Sequence, residues 1–395
     1  MREESKAEAI GLWKRILFSL VAFCLGAVAL LGAGEIVCRL LHGDKFSDLS
    51  LNYFPPGSVI YDPVVGWRYR PGYEGQWRYF EYAFNVKINS TGLRDREYGP
   101  KSKPRILFIG DSHTFGVGVD ISQTFVKRVE KVLNADGAPV ECINGGRVAA
   151  GSDLYLHYTR KYVPELVPNV VAVCFFPEND FDDTWYFNSN AYPDFHNVHG
   201  EVYVGDEPLA RERKHRAGVL FRNSAFYRFL RLRFCRLSVN LGENPFHGTW
   251  LDVYLREEPA WVKEATSKTI ENLGAIQHIC QSRNARLTLI LLPSNFDSAP
   301  KCWRHAVGKS PRGAEAYDRE KPFRVLTQFA QERNVALLDV RDAVQCQRGL
   351  LYFKHDRHLN SRGHKVVAGA FVSFLEKERL LPRQTQEADS AKPHD

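Results

Sequence analysis

The chain has 395 residues, 44% hydrophobic and 12% aromatic, which is enough to bury one sizeable core with material left for insertions and excludes a disordered polymer. Its 53 basic and 46 acidic residues leave a formal charge of +7, spread too thinly for a nucleic-acid binder, so no nucleic-acid partner is expected. The eight cysteines (Cys24, Cys38, Cys142, Cys174, Cys235, Cys280, Cys302, Cys346) show neither CxxC nor metal-ligand spacing, which argues against a zinc site and against a disulfide scaffold. Cys302 and Cys346 are the pair to test for a bridge if the domain is exported.

After a basic tail, residues 1–15, the stretch Ile16 to Gly34 (ILFSLVAFCLGAVALLGAG) carries no charge over nineteen residues, long enough for most of a bilayer's hydrocarbon core. A single membrane-spanning helix with its extension is expected over 16–41. Arg2, Lys6, Lys14 and Arg15 precede it, so the positive-inside rule keeps the N-terminus cytoplasmic and sends everything after Glu35 across the membrane, to the periplasmic side. A cleaved signal peptide, cut near Gly32-Ala33-Gly34, is the competing reading; the apolar run is longer than a usual signal core. A buried core helix is the second alternative, disfavoured by the terminal position and basic flank. Phe23 before Cys24 is too bulky for a lipid-modification site.

Residues 46–100 are rich in Tyr, Trp, Pro and Gly and alternate as short strands and turns do, which predicts a β-rich lead-in. Beyond a polar linker at 99–104, short apolar runs alternate with helical stretches. Strands are expected at Arg105–Ile109, Val140–Asn144, Val170–Phe176, Leu287–Leu292 and Val335–Asp339. Helices are expected at 122–135, 152–163, 260–282 and 321–333, with a closing helix at 361–379. That order gives an α/β fold: a three-layer α/β/α domain, residues 101–184 and 260–380, around a five-stranded parallel sheet. Residues 185–259 break the alternation and read as an insertion over one end of the sheet, a possible lid. Within it, RNSAFYRFLRLRFCRLSV at 222–239 predicts a basic amphipathic helix, packing on the domain or lying on a membrane surface. The polar tail, 381–395, is expected to be disordered.

The first expected strand runs into Gly110-Asp111-Ser112-His113-Thr114, so a serine opens a helix at the carboxyl end of a strand, where ligand crevices of open α/β sheets lie. A serine there keeps its backbone N–H free of intrahelical bonding and able to help hold an oxyanion. The plain alternative is a helix start capped by Asp111 or Ser112. A dinucleotide loop fails because Ile121 stands where a third glycine is required, and no GxSxG elbow occurs.

This turn resembles the first block of the SGNH (GDSL-like) hydrolase family, with histidine in place of leucine. Asn144-Gly145-Gly146 resembles its second block, Pro177-Glu178-Asn179-Asp180 its third, and Asp356-Arg357-His358 its last, just before the final helix. Asp62-Pro63-Val64-Val65-Gly66-Trp67 and Ile88-Asn89-Ser90-Thr91-Gly92-Leu93-Arg94 look like segments preceding the hydrolase block in bacterial membrane-anchored members. The resemblance implies a flavodoxin-like domain with Ser112 as nucleophile, His358 as its base, Asp356 orienting the ring, and an oxyanion hole from Ser112, Gly146 and the Asn179 amide. His355 and His364 are decoys. It implies an ester hydrolase working through an acyl-enzyme, on carboxylesters or acylated carbohydrate, with no cofactor and no metal. The rival is an O-acyltransferase modifying a cell-surface polysaccharide, with a membrane acyltransferase as partner. A third reading is a non-catalytic envelope binding protein that keeps the fold.

Overall fold

The computed structural model describes residues 2–42, 50–51, 54–79, 82–137, 139–188, 195–199, 201–204, 207–209, 213–214, 223–233, 250–354 and 356–381. The chain divides into two units, Met1–Leu51 with Arg213–Asn240, and Asn52–Glu212 with Leu241–Asp395. His355, much of the insertion and nearly all of the expected disordered tail lie outside the described residues.

In the first unit, helix α1 (Arg2–His42) contains the expected span. Its 29 residues Trp13–Leu41 are long and apolar enough to cross a membrane, and none of the most apolar window is buried. The basic stretch of the insertion forms a helix over Ala225–Arg233, with residues 234–239 of the expected stretch outside the described residues, and this helix belongs to the unit of α1. Glu35 caps its start, accepting from Ser224 Oγ at 2.8 Å and from the backbone N–H groups of Ala225 and Phe226 at 2.9 Å. A carboxylate suits those otherwise unpaired donors and the positive end of the helix dipole.

The second unit begins with two antiparallel hairpins, β1 (Val59–Asp62) with β2 (Gly66–Tyr69), and β3 (Glu74–Tyr79) with β4 (Tyr82–Lys87). Next come β5 (Arg105–Gly110), the one-turn helix α2 (Ser112–Phe115), α3 (Phe125–Ala135), β6 (Glu141–Gly146), α4 (Ser152–Leu166), β7 (Val170–Phe175) and α5 (Asp180–Asn188). A hairpin, β8 (Phe195–Val198) with β9 (Glu201–Val204), precedes α6 (Ala260–Ser282), β10 (Arg286–Leu291), α7 (Lys321–Glu332), β11 (Ala336–Asp339) and α8 (Ser361–Glu378). All five expected strands are present within two residues of their expected ends, and they form one sheet in the order β11-β10-β7-β5-β6, every pair parallel. The expected helix 260–282 has the same bounds in the structure.

Central strands β5 (RILFIG) and β7 (VVAVCF) are buried at every position, because helices cover both faces of the sheet and leave no side for polar residues. Side chains alternate between the two layers. Ile106 and Phe108 enter the core under α3 and α8, while Leu107 and Ile109 enter the core under α4, α6 and α7. Helix α5 was not expected; DFDDTWYFN carries no 3.6-residue apolar repeat, and the helix crosses the boundary drawn at 184.

From residue 54 on, the lead-in packs as part of this unit. Trp67, Tyr69, Trp77 and Phe84 form a core of their own that takes in Phe115 from α2. The Phe115 ring stacks on Tyr69 and Trp77 at centroid distances of 5.0 and 5.3 Å. Arg94, 1% exposed, reaches the same place. Its guanidinium donates to the carbonyls of Phe115, Gly116 and Val119, and to that of Asn85 on β4, each at 2.8 Å. Burial pulls its pKa down to about 10, against nearby Asp120, so it keeps its charge at neutral pH. Four oxygens on one fork hold the loop after Ser112 to the lead-in. Cys302 and Cys346 are free and exposed, so the bridge considered from sequence is absent.

Candidate active site

Taken in chain order, the five strands lie 2-1-3-4-5 across the sheet. In that arrangement the connections leave strands one and three in opposite directions, and a crevice opens outside their carboxyl ends. Ser112 follows β5, the first strand, and Asn179 follows β7, the third.

Asp111 N-caps α2, its carboxylate accepting from the His113 N–H at 2.9 Å, and Gly116 in the left-handed region (φ 85°) ends the helix. Ser112 therefore stands at the first helical position. The last expected block forms the opposite wall. Asn360 N-caps α8, accepting from the N–H groups of Arg362 and Gly363, while its own amide donates to the carbonyls of Leu350 and Tyr352 at 3.1 Å. A bridge between Tyr352 and Leu359, with Phe353 N–H donating to His358 O at 3.0 Å, folds the loop back on itself.

These two walls meet. His358 Nε2 lies 2.8 Å from Ser112 Oγ, and His358 Nδ1 lies 2.6 Å from Asp356 Oδ1, an oxygen that also accepts the His358 N–H at 3.0 Å. Ser112 is 6% exposed. Asp111 Oδ2 is a competing acceptor for the serine hydroxyl, at the longer distance of 3.3 Å.

Burial would push the Asp356 carboxyl up, but the charge of His358 and hydrogen bonds from His358 and Tyr82 hold it well below the usual carboxylate range. Burial disfavours the His358 imidazolium, yet the charge and hydrogen bond of Asp356 outweigh it and raise the pKa above the ordinary 6.5. Burial pushes Asp111 up to about 6. Burial likewise carries the carboxyls of Asp180 and Asp183 well above the ordinary range. His113 is buried with its ring 4.1 Å from Phe176, and burial drives its pKa well below 6.5. It is a neutral packing ring.

Two expected site residues are engaged in ways the sequence did not indicate. The Gly146 N–H donates to Asn144 Oδ1 at 2.9 Å, so it is already committed, contrary to the expected oxyanion role. Glycine is required there by crowding: a Cβ would stand 2.0 Å from Phe115 N, at the seam between β6 and α2. The Asn179 amide donates to Asp183 Oδ2 at 3.1 Å, which occupies one of its two hydrogens. Of the decoys, His364 is a buried structural residue, accepting from the Phe125 N–H at 3.2 Å, and burial lowers its pKa to about 3.

Sequence reading missed three contributors. Tyr82 donates its hydroxyl hydrogen to Asp356 Oδ2. Arg357, between the two expected residues, forms an ion pair with the buried Glu178 and lies 3.3 Å from the ring of Trp250. Arg94 holds the Ser112 turn from behind. None has a local sequence signal, since each acts on a residue distant in the chain. A cavity of about 740 Å³ lined by Arg286, Leu287, Ala336 and Leu337 opens at the amino ends of β10 and β11, the rim away from Ser112.

No family model and no curated protein matches the chain. Solved structures do. The structure of TesA is 15% identical, covering 70% of this chain and 99% of its own, with a TM-score of 0.39. A lipase/acylhydrolase from Enterococcus faecalis is 17% identical over 71% of this chain and 100% of its own, TM-score 0.39. A catalytic mutant of Axe2, an acetylxylan esterase from Geobacillus stearothermophilus, is 13% identical over 69% and 94%, TM-score 0.38.

Proposed function

We propose that the chain is a serine-dependent ester hydrolase of the SGNH type. The supporting observation is the continuous relay from Ser112 Oγ through both nitrogens of His358 to Asp356, at 2.8 and 2.6 Å, at the switch point of the sheet. In this reading Ser112 Oγ attacks the ester carbonyl carbon while its proton passes to His358 Nε2. Asp356 holds the ring in the right tautomer and stabilises the imidazolium. The tetrahedral oxyanion is held by the Ser112 N–H and by the second amide hydrogen of Asn179. His358 then returns the proton to the leaving alkoxide, giving an acyl-Ser112 ester and free alcohol. Water, deprotonated by the same imidazole, attacks that ester and releases the acid. Every proton is handled by His358.

The candidate span in α1, with Arg2, Lys6, Lys14 and Arg15 on its amino side, supports an anchor that leaves the catalytic unit on the extracytoplasmic face. The free, exposed Cys302 and Cys346 provide the check: a membrane-impermeant maleimide labels them in intact cells if the unit faces outward. Labelling only after lysis reverses the orientation.

The chemistry is tested with an ester hydrolysis screen of wild type against Ser112→Ala. Undiminished cleavage by the variant sinks the mechanism. With an acetylated oligosaccharide and a sugar acceptor present, release of acetate supports hydrolysis, whereas an acylated acceptor identifies an O-acyltransferase using the same residues.

A further inference from the structure

We infer that Tyr82, a lead-in residue, is a positioning residue for catalysis that sets the strength of the Asp356–His358 couple; the inference rests on the catalytic reading of Ser112, His358 and Asp356. Asp356 has two carboxylate oxygens. Oδ1 faces His358, accepting from Nδ1 at 2.6 Å and from the backbone N–H at 3.0 Å. Oδ2 accepts the hydroxyl hydrogen of Tyr82, which lies 274 residues earlier in the chain.

A carboxylate bonded through one oxygen can still swing about its terminal torsion, which is broad for Asp. A donor on the other oxygen stops that rotation and keeps the Oδ1 lone pairs aimed at Nδ1. Partners of this kind, one step behind the reacting ring, fix its orientation and tune its basicity.

The donor itself is held. The Tyr82 ring packs on Phe353, from the same loop as Asp356, at 4.4 Å between centroids, and on Phe84 at 5.9 Å. Gly118, in the left-handed region at φ +87°, leaves room for both rings: a Cβ there would meet Phe353 at 2.4 Å and Tyr82 at 3.1 Å. Strand β4 is tied to the nucleophile loop, because Asn85 O accepts from Arg94 and Asn85 N–H donates to Asp120 Oδ1 at 2.9 Å. Tyr82 thus links the support of Ser112 to the support of His358.

The hydroxyl also draws charge from the carboxylate. A hydrogen bond to an anion favours and disperses that charge, so Tyr82 moderates the pull of Asp356 on the imidazolium. Removing the hydroxyl leaves a more concentrated negative charge beside His358. The imidazolium is then favoured further, and its pKa rises.

The test uses the detergent-solubilised full chain and a fluorophosphonate probe, which needs no knowledge of the natural substrate. Ser112 Oγ forms a bond to phosphorus, fluoride leaves, and the serine proton passes to His358. The second-order labelling rate is measured against pH for wild type, Ser112→Ala, Tyr82→Phe and Phe353→Leu. Tyr82→Phe keeps the ring and its packing. The expected result is a plateau about tenfold lower and an acid limb moved to higher pH. Phe353→Leu, which loosens packing but keeps the hydroxyl, is expected to leave the limb in place. Trifluorotyrosine at position 82, a stronger donor of nearly the same shape, should move the limb to lower pH and supplies the measurement if Tyr82→Phe does not fold. An acid limb that stays or moves down in Tyr82→Phe, or a limb unmoved by the fluorinated residue, overturns the role given to Tyr82 while leaving the triad standing. A wild-type chain that labels no better than Ser112→Ala overturns both.

Discussion

Ser112 stands on a turn fixed from every side, by a strand buried on both faces, a cap from Asp111, a ring stack under Phe115 and three hydrogen bonds from Arg94, whose fourth reaches Asn85 on β4. Asp356 and His358 stand on a loop outside the sheet, held by the Asn360 cap, the short backbone bridge between Tyr352 and Leu359 and the hydroxyl of Tyr82. The serine's location follows from the backbone of the sheet, while the imidazole's follows from a few polar contacts. Substitutions behind the serine should therefore cost folding, and substitutions behind the histidine should cost rate and change its pH dependence.

The largest effects come from the relay itself. Ser112→Ala should lower ester turnover on the order of 10⁶-fold with no loss of thermal stability, because a buried hydroxyl is exchanged for a similar volume. Asp356→Asn should lower kcat on the order of 10⁴-fold by favouring the wrong tautomer of His358. A loss at Asp356 as small as twofold would show that the histidine needs no orienting partner.

Behind the serine, Arg94→Met should destabilise the unit by about 3 kcal/mol or more, read by chemical denaturation, since it strips buried carbonyls of their donor. The matching change behind the histidine, Asn360→Ala, should cost about 1 kcal/mol as the loss of an N-cap, and should reduce rate more than stability. Equal stability losses at the two positions would erase the contrast drawn here.

The pH profile sharpens it further. Protonated His358 cannot accept the serine proton, so activity rises as pH rises through its pKa. Asp356 lifts that pKa above 6.5 against the effect of burial, so the acid limb of kcat/KM should lie above 6.5 and fall about tenfold per pH unit below it. A limb below 6.5 would mean that the Asp356 contact does not outweigh burial.

Much of the fold was legible in the sequence because its signals are local. RILFIG and VVAVCF are continuous apolar runs that only a strand covered on both faces can bury, and GDS after such a run marks a strand end turning into a helix. The nineteen uncharged residues from Ile16 needed no tertiary information either. The boundary of α5 was not legible, since its apolar residues follow no helical period and its packing against neighbours holds it instead. The Gly146 role was misjudged for a related reason: two glycines at a strand end look the same whether they free an N–H or relieve a clash with Phe115 N.

Composition and periodicity were sufficient to set the layered α/β order and the apolar helix, because each depends on neighbours within a turn or a strand, whereas Asp356 and His358 were named as partners of Ser112 only through the resemblance of their motif to a known family's last block. Only the tertiary structure could decide that Tyr82 reaches Asp356 across 274 residues, that Arg94 holds the serine loop, and that Gly146 is engaged by Asn144. Such contacts are short-ranged and directional, and they exist only once packing has brought distant segments within about 3 Å of each other.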